Sequence, residues 1–164
     1  MNTYGSSLGN PGLAGGGGLI RDEEGAWDVG FARNIGISSS FIAELWALRD
    51  RLLIYVHRNF NAIEVELDAK VVIDVLPASN CTNNLVAPLV DDYRQLATQI
   101  HQICFKHYFR EANQSANKLA RMGAAQDSQF KLFLCSLVDL VTIFNSNLNG
   151  LYLTRMCTES SFVP

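Results

Sequence analysis

Ser38-Ser-Ser-Phe-Ile-Ala-Glu-Leu-Trp-Ala-Leu-Arg-Asp-Arg-Leu-Leu-Ile-Tyr-Val-His57, followed shortly by Asn61-Ala-Ile-Glu-Val-Glu-Leu-Asp68, is the stretch that decides the fold. Apolar residues recur at 41, 45, 48, 52 and 55 or 56, which is the period of one helix face, and the serine run ahead of them supplies N-cap hydroxyls. The spacing predicts a helix from about Phe41 to His57. Ile63, Val65 and Leu67 then alternate with Glu64 and Glu66, the pattern of a half-buried strand. That strand delivers Asp68 at its end.

Toward the N-terminus, Gly5-Ser-Ser-Leu-Gly-Asn-Pro-Gly is turn chemistry, and Gly15 to Gly18 form a run that permits close strand packing or a bulge. No Gly-Lys-Ser/Thr follows the glycines and no helix begins there, so they do not read as a phosphate loop. Trp27, Val29 and Phe31 alternate as one strand face after the polar turn at Arg21-Asp-Glu-Glu-Gly. Two or three early antiparallel strands are expected.

Toward the C-terminus, a short helix over Ala69 to Leu76 stops at Pro77. A longer helix is expected from about Pro88 to Ile100. Ile103, Phe105, His107 and Phe109 alternate as a strand, and Ser115 to Met122 reads as a helix closed by Gly123. Strands, helix, strand, two helices, strand and helix, in that order, imply a mixed sheet flanked by helices. The pattern changes at Ala124, which divides the chain into a domain over 1–123 and a tail over 124–164 with room for one amphipathic helix. The tail's apolar face is expected to cover the domain or to meet a protein partner.

With 164 residues, 48% hydrophobic and 18% charged, the chain has the size and composition of one globular domain with an appendage. Its net charge of −3 gives no overall basic field, so contact with nucleic acid has to rest on a local patch. Cys81, Cys104, Cys135 and Cys157 are widely spread, with neither zinc-finger spacing nor a Cys-x-x-Cys pair, and are expected as reduced thiols of an intracellular protein, nuclear or cytoplasmic. No uninterrupted apolar stretch reaches membrane-spanning length, and the first residues lack the basic flank and apolar run of a secretory signal.

Two carboxylates stand out, and each has an ordinary explanation. Glu44 lacks the Ser or Thr three residues earlier that a capping box needs, but an acid in a first helical turn still favours the helix dipole. Asp68 suits the N-cap of the helix expected from Ala69. His57, His101 and His107 lie beside no serine or cysteine motif and read as structural or exposed.

Taken in order, Gly5-Ser-Ser-Leu-Gly-Asn-Pro-Gly, Ala43-Glu-Leu-Trp-Ala-Leu, Glu66-Leu-Asp-Ala-Lys and Arg110-Glu-Ala-Asn-Gln-Ser-Ala-Asn-Lys-Leu-Ala-Arg closely resemble the ribonuclease H-type domain. The likeness is to its plant, reverse-transcriptase-like branch and covers about Asn2 to Gly123. It implies an α/β ribonuclease H-like fold, with a five-stranded mixed sheet flanked by helices. It further implies hydrolysis of the RNA strand of an RNA/DNA hybrid with two Mg²⁺ ions. Apolar residues that the family carries ahead of its Asn-Thr-Asp-Gly motif are missing before Asn2, so the first strand is expected to be shortened and the domain less stable.

The resemblance also assigns site residues. Glu44 and Asp68 match the second and third metal-binding acids. Tyr4 stands where the family's bridging aspartate would be, and Asn117 replaces the aspartate before Leu-Ala-Arg. Gly9 and Asn10 match the turn that approaches the RNA minor groove and its 2′-hydroxyls. Lys70, Lys118 and Arg121 are candidate phosphate contacts or a solvated helix face. Glu66 would sit about 6 to 7 Å back along its strand from Asp68, too far to substitute simply, and the pattern gives Glu111 no metal role.

Two dications about 4 Å apart repel by roughly 16 kcal/mol at an effective dielectric of about 20. Carboxylates and the scissile phosphate must offset that repulsion. A phenol with an ordinary pKa of about 10 in place of a bridging carboxylate removes both charge and a hard ligand. Asn117 keeps a carbonyl oxygen without charge. The sequence thus predicts a nucleic-acid-binding domain of ribonuclease H type with weak or lost catalysis and weakened Mg²⁺ binding. An active two-metal endoribonuclease, and a protein-interaction module or decayed retroelement-derived product, are the alternatives.

Overall fold

The computed structural model describes residues 2–22, 24–60, 62–67, 86–107, 114–137 and 140, with the backbone alone at 2, 66, 67 and 105–107. Strands β1 (Asn2–Gly9), β2 (Gly12–Arg21) and β3 (Trp27–Ser38) lead into α1 (Ser40–His57). They are followed by β4 (Ala62–Leu67), α2 (Ala87–Ala97), β5 (Gln102–His107), α3 (Gln114–Ala125) and β6 (Phe130–Phe133). The helix expected over 69–76 lies outside the described residues.

These strands form one sheet in the order β5-β4-β1-β2-β3-β6. The pairs β1–β2, β2–β3 and β3–β6 run antiparallel, while β4 lies parallel to both β1 and β5. The sheet is mixed, as expected, but has six strands rather than five. The extra one, β6, pairs Phe130 to Phe133 with Arg33 to Gly30, which converts part of the expected tail into an edge strand. Trp27 Nε1 donates to Phe133 O at 3.2 Å, and Gln126 Nε2 donates to Ala32 O at 3.0 Å. Side chains outside the local pattern thus hold that edge in place.

β1 is paired along all eight of its residues with β2 but, among the described residues, meets β4 at one register pair, Asn2↔Glu66. Arg51, fully buried, donates from Nη1 to Thr3 Oγ1 at 3.2 Å and from Nη2 to Glu64 O at 3.0 Å. One α1 side chain therefore bridges the two strands.

The glycine run of β2 fixes the layer spacing. A Cβ on Gly17 would lie 2.2 Å from Ala120 N of α3, and one on Gly16 would lie 3.3 Å from Ala47 Cβ of α1. Neighbouring strand residues face opposite sides, so α1 and α3 cover opposite faces of the same glycine stretch. A register shift also falls between Ala14 and Gly15. Close packing and an irregularity, both anticipated from the glycines, occur together.

Gly123 does not close α3. It stands inside the helix, where a Cβ would come within 2.4 Å of Arg33 O, so its role is to let helix backbone touch β3. The main core lies under α1 and α2, around Leu45, Leu48, Leu52, Val65 and Val90. A smaller cluster of Leu19, Leu119 and Leu140 sits on the α3 side.

Candidate active site

Ser39 Oγ accepts from Ile42 N at 3.3 Å and caps α1. With the helix starting at Ser40, Glu44 falls in its second turn, and the first turn holds no acid. A favourable charge at the helix dipole therefore does not account for this residue. Glu44 is also 5% exposed, a costly place for a carboxylate whose role is only to sit near a helix end. Its backbone rests on β1, because a Cβ on Gly5 would lie 2.2 Å from Glu44 N.

Tyr4, next to Gly5, turns to the other face. It is 4% exposed and clusters with Ala116 and Ala120 of α3. That ring fills the space beside Gly17, its cross-strand partner. Asn117, half-buried, follows Ala116 directly on α3. The helical turns that carry Glu44 and Asn117 thus reach adjacent residues of β1 from opposite faces. Three of the four positions named by the resemblance converge on one strand.

Asp68 follows Leu67, the last residue of β4, in sequence and lies outside the described residues, as do Lys70 and Glu111. Among the described residues no three His, Cys, Asp or Glu side chains group together.

The turn between β1 and β2 is tied to the start of α1. Ser7 Oγ donates to Ser38 O at 2.9 Å, and Asn10 Oδ1 accepts from Ser40 N at 3.2 Å. Gly9 takes φ of +101°, a conformation that side chains disfavour. Asn10 remains exposed. The turn is therefore a fixed, outward-facing feature rather than a loose loop.

A network that the sequence reading missed lies along the side of α1. Asp50, 1% exposed, receives a two-pronged contact from Arg33 of β3 and a further contact from Arg49 at 3.3 Å. Arg49 also reaches Asp92 of α2 at 2.8 Å. Burial pushes the Asp50 carboxyl above the usual carboxylate range even with both arginines beside it. Burial opposes the charge on Arg49, but Asp92 and Asp50 together carry it above its ordinary value. Both guanidinium groups also lie over the Trp46 ring, Arg33 at 5.0 Å and Arg49 at 5.3 Å from its centre. The apolar stripe of α1 did not announce this, since 50 and 51 fall outside it. Only the packing of β3 and α2 against the flanks of the helix buries them.

The structure, a mixed sheet with helices on both faces, is similar to solved structures of the ribonuclease H class. It aligns with RNase H1 of the archaeon Halobacterium salinarum at a TM-score of 0.69 and 26% identity, over 76% of this chain and 95% of that one. The N-terminal RNase H domain of a Mycobacterium tuberculosis protein shares the fold at a TM-score of 0.70 and 24% identity, over 76% and 91%. An RNase H1 from compost, solved in complex with an RNA/DNA hybrid, does so at 0.64 and 22%, over 76% and 94%. Residues 2–123 match the family model described as "Reverse transcriptase-like", and the chain belongs to that family as a ribonuclease H-type domain. It is also 34% identical over 133 residues to an Arabidopsis thaliana protein named "Putative ribonuclease H protein", covering 81% of this chain. The chain spans 22% of the length of that relative.

Proposed function

We propose that this domain binds nucleic acid of the RNA/DNA hybrid class and hydrolyses it weakly or not at all. The observation that carries the reading is Tyr4, buried against Ala116 and Ala120 where the family pattern places an aspartate. A neutral ring in an apolar pocket supplies neither the charge nor the hard oxygen that Mg²⁺ requires. Asn117 adds an uncharged amide, so Glu44 is the one acid among the described residues at these positions. That donor set does not fit a pair of Mg²⁺ ions. A weakened single site at Glu44 and Asp68 is compatible with the residues.

The intact turn at Gly9 and Asn10 supports retained binding, as does the hybrid complex of the compost enzyme. The thiols of Cys104 and Cys135, free and exposed, suit a reducing, intracellular compartment, nuclear or cytoplasmic. No helix of the described residues is long and apolar enough to cross a membrane. A second reading, a protein contact in the segment after 124, is favoured by Leu132 and Leu134, which are 52% and 71% exposed.

A gel assay on a labelled RNA/DNA hybrid with Mg²⁺ or Mn²⁺ tests the proposal, comparing the native chain with Tyr4→Asp plus Asn117→Asp. Negligible native cleavage and partial recovery in the double variant are expected. Because Tyr4→Asp puts a carboxylate among alanines, the double variant should also melt at higher temperature with Mg²⁺ than without it. Robust native cleavage that Glu44→Ala abolishes would establish the active two-metal alternative instead.

A further inference from the structure

The acidic chain needs a local basic patch if it is to hold nucleic acid, and α3 carries one. Lys118 and Arg121 lie on a helix whose twelve residues, QSANKLARMGAA, include no carboxylate. Elsewhere, Arg33, Arg49, Arg58 and Arg94 are held in ion pairs with Asp50, Asp92, Asp28 and Asp91, and Arg51 is buried. Lys118 and Arg121 stand three residues apart on α3, a spacing that puts both on one side of the helix.

They also share a groove. A depression of about 530 Å³ is lined, among the described residues, by Gln114, Asn117, Lys118, Arg121, Met122 and Ala125. These positions recur at helical spacing and form the outer stripe of α3, while Ala116, Ala120 and Gly123 face the sheet. The lining offers two cations, two carboxamides and an apolar thioether. That is donor chemistry suited to phosphate and sugar oxygens.

We infer that the outer stripe of α3 is a phosphodiester-backbone groove that holds the nucleic acid without a divalent cation. The inference rests on the nucleic-acid-binding reading above and deepens it. Asn117 is the pivot, because an aspartate there would place negative charge in a groove that otherwise presents positive charge and amides. The change at this position removes a metal ligand and, by the same step, removes a repulsion against phosphate. Binding becomes independent of Mg²⁺ on this side of the site.

Fluorescence anisotropy with a labelled RNA/DNA hybrid in EDTA, across a salt titration, tests the groove. The native chain should bind in EDTA. Lys118→Glu plus Arg121→Glu should weaken binding about tenfold or more and reduce the salt slope by about two, as expected for two lost phosphate contacts. Arg58→Glu plus Arg94→Glu changes net charge equally and should leave that affinity within about twofold at moderate salt, where distant charges are screened. Asn117→Asp should weaken binding in EDTA and regain it on addition of Mg²⁺.

Equal losses in the two charge-reversal pairs would overturn the groove and leave a diffuse electrostatic contact. Native binding untouched by Lys118→Glu plus Arg121→Glu would also overturn it, while sparing the nucleic-acid-binding reading. Absence of hybrid binding by the folded native chain would overturn both. Circular dichroism of each variant confirms that folding is unchanged.

Discussion

Helices α1 and α3 rest on the same glycine-lined strand from opposite faces, and they present different chemistry there. On the α1 side the buried Glu44 is accompanied by the buried Arg51 and by the buried Asp50, which pairs with the half-buried Arg33 and Arg49. On the α3 side Tyr4 is packed among alanines, and the helix carries cations on its outer stripe and no carboxylate. Both sides keep the steric requirement of the sheet. The chemistry laid over it differs because side chains beside a fixed backbone can change without moving it.

The strongest way to break this comparison is through the glycines. Gly17→Val would drive branched carbon into the Ala120 backbone, where even a Cβ comes within 2.2 Å, and should remove about 3 kcal/mol or more of stability. Gly16→Ala meets the Ala47 methyl at 3.3 Å and its backbone at 3.4 Å, a milder approach that should cost roughly 1 kcal/mol. Urea unfolding of both variants measures the contrast; equal losses would mean that the two helices are held alike.

Arg33→Ala comes next. It strands the Asp50 carboxylate, 1% exposed, and should cost roughly 3 kcal/mol, near the low end for a broken buried pair because Arg49 stays. The pH dependence has a definite sign. Burial holds the Asp50 carboxyl above its unfolded value, so the folded state takes up its proton more readily. The associated stability is fully present below the unfolded pKa and is lost as pH rises through the folded one. Melting temperatures should therefore show Asp50→Asn losing most relative to the native chain at acid pH, with the gap narrowing upward. A gap that widens upward would show that the arginines outweigh burial.

Smaller effects sharpen the boundaries of the two sides. Ser39→Ala removes the cap on Ile42 N and should cost about 1 kcal/mol in denaturant unfolding. Arg58→Ala breaks a surface pair with Asp28, whose partners are 41% and 28% exposed, and should change stability by under about 0.5 kcal/mol. A larger loss there would extend the charged network of α1 to its C-terminal end.

Much of this architecture was legible because its signals are local. The 3.6-residue stripe of α1 and the alternation in β4 come from residues near one another in the chain, and both elements appear with ends shifted by about one residue. Gly123 misled because a glycine near a helix end suits a cap and a close contact equally well. β6 was missed because Phe130-Lys-Leu-Phe becomes a strand by pairing with β3, about 100 residues earlier in the chain. At the site, the ordered motifs named Tyr4, Glu44 and Asn117. Their convergence on β1 from two faces required the sheet.

The sequence by itself determined the family and much of the order of elements, since these are matters of residue identity and short-range period. Tertiary structure alone decided that Asp50 and Arg51 are buried, that Gly123 is a contact and not a stop, and that the phenol of Tyr4 packs against α3. Burial is settled by segments that meet only when the chain folds. No local pattern carries that information.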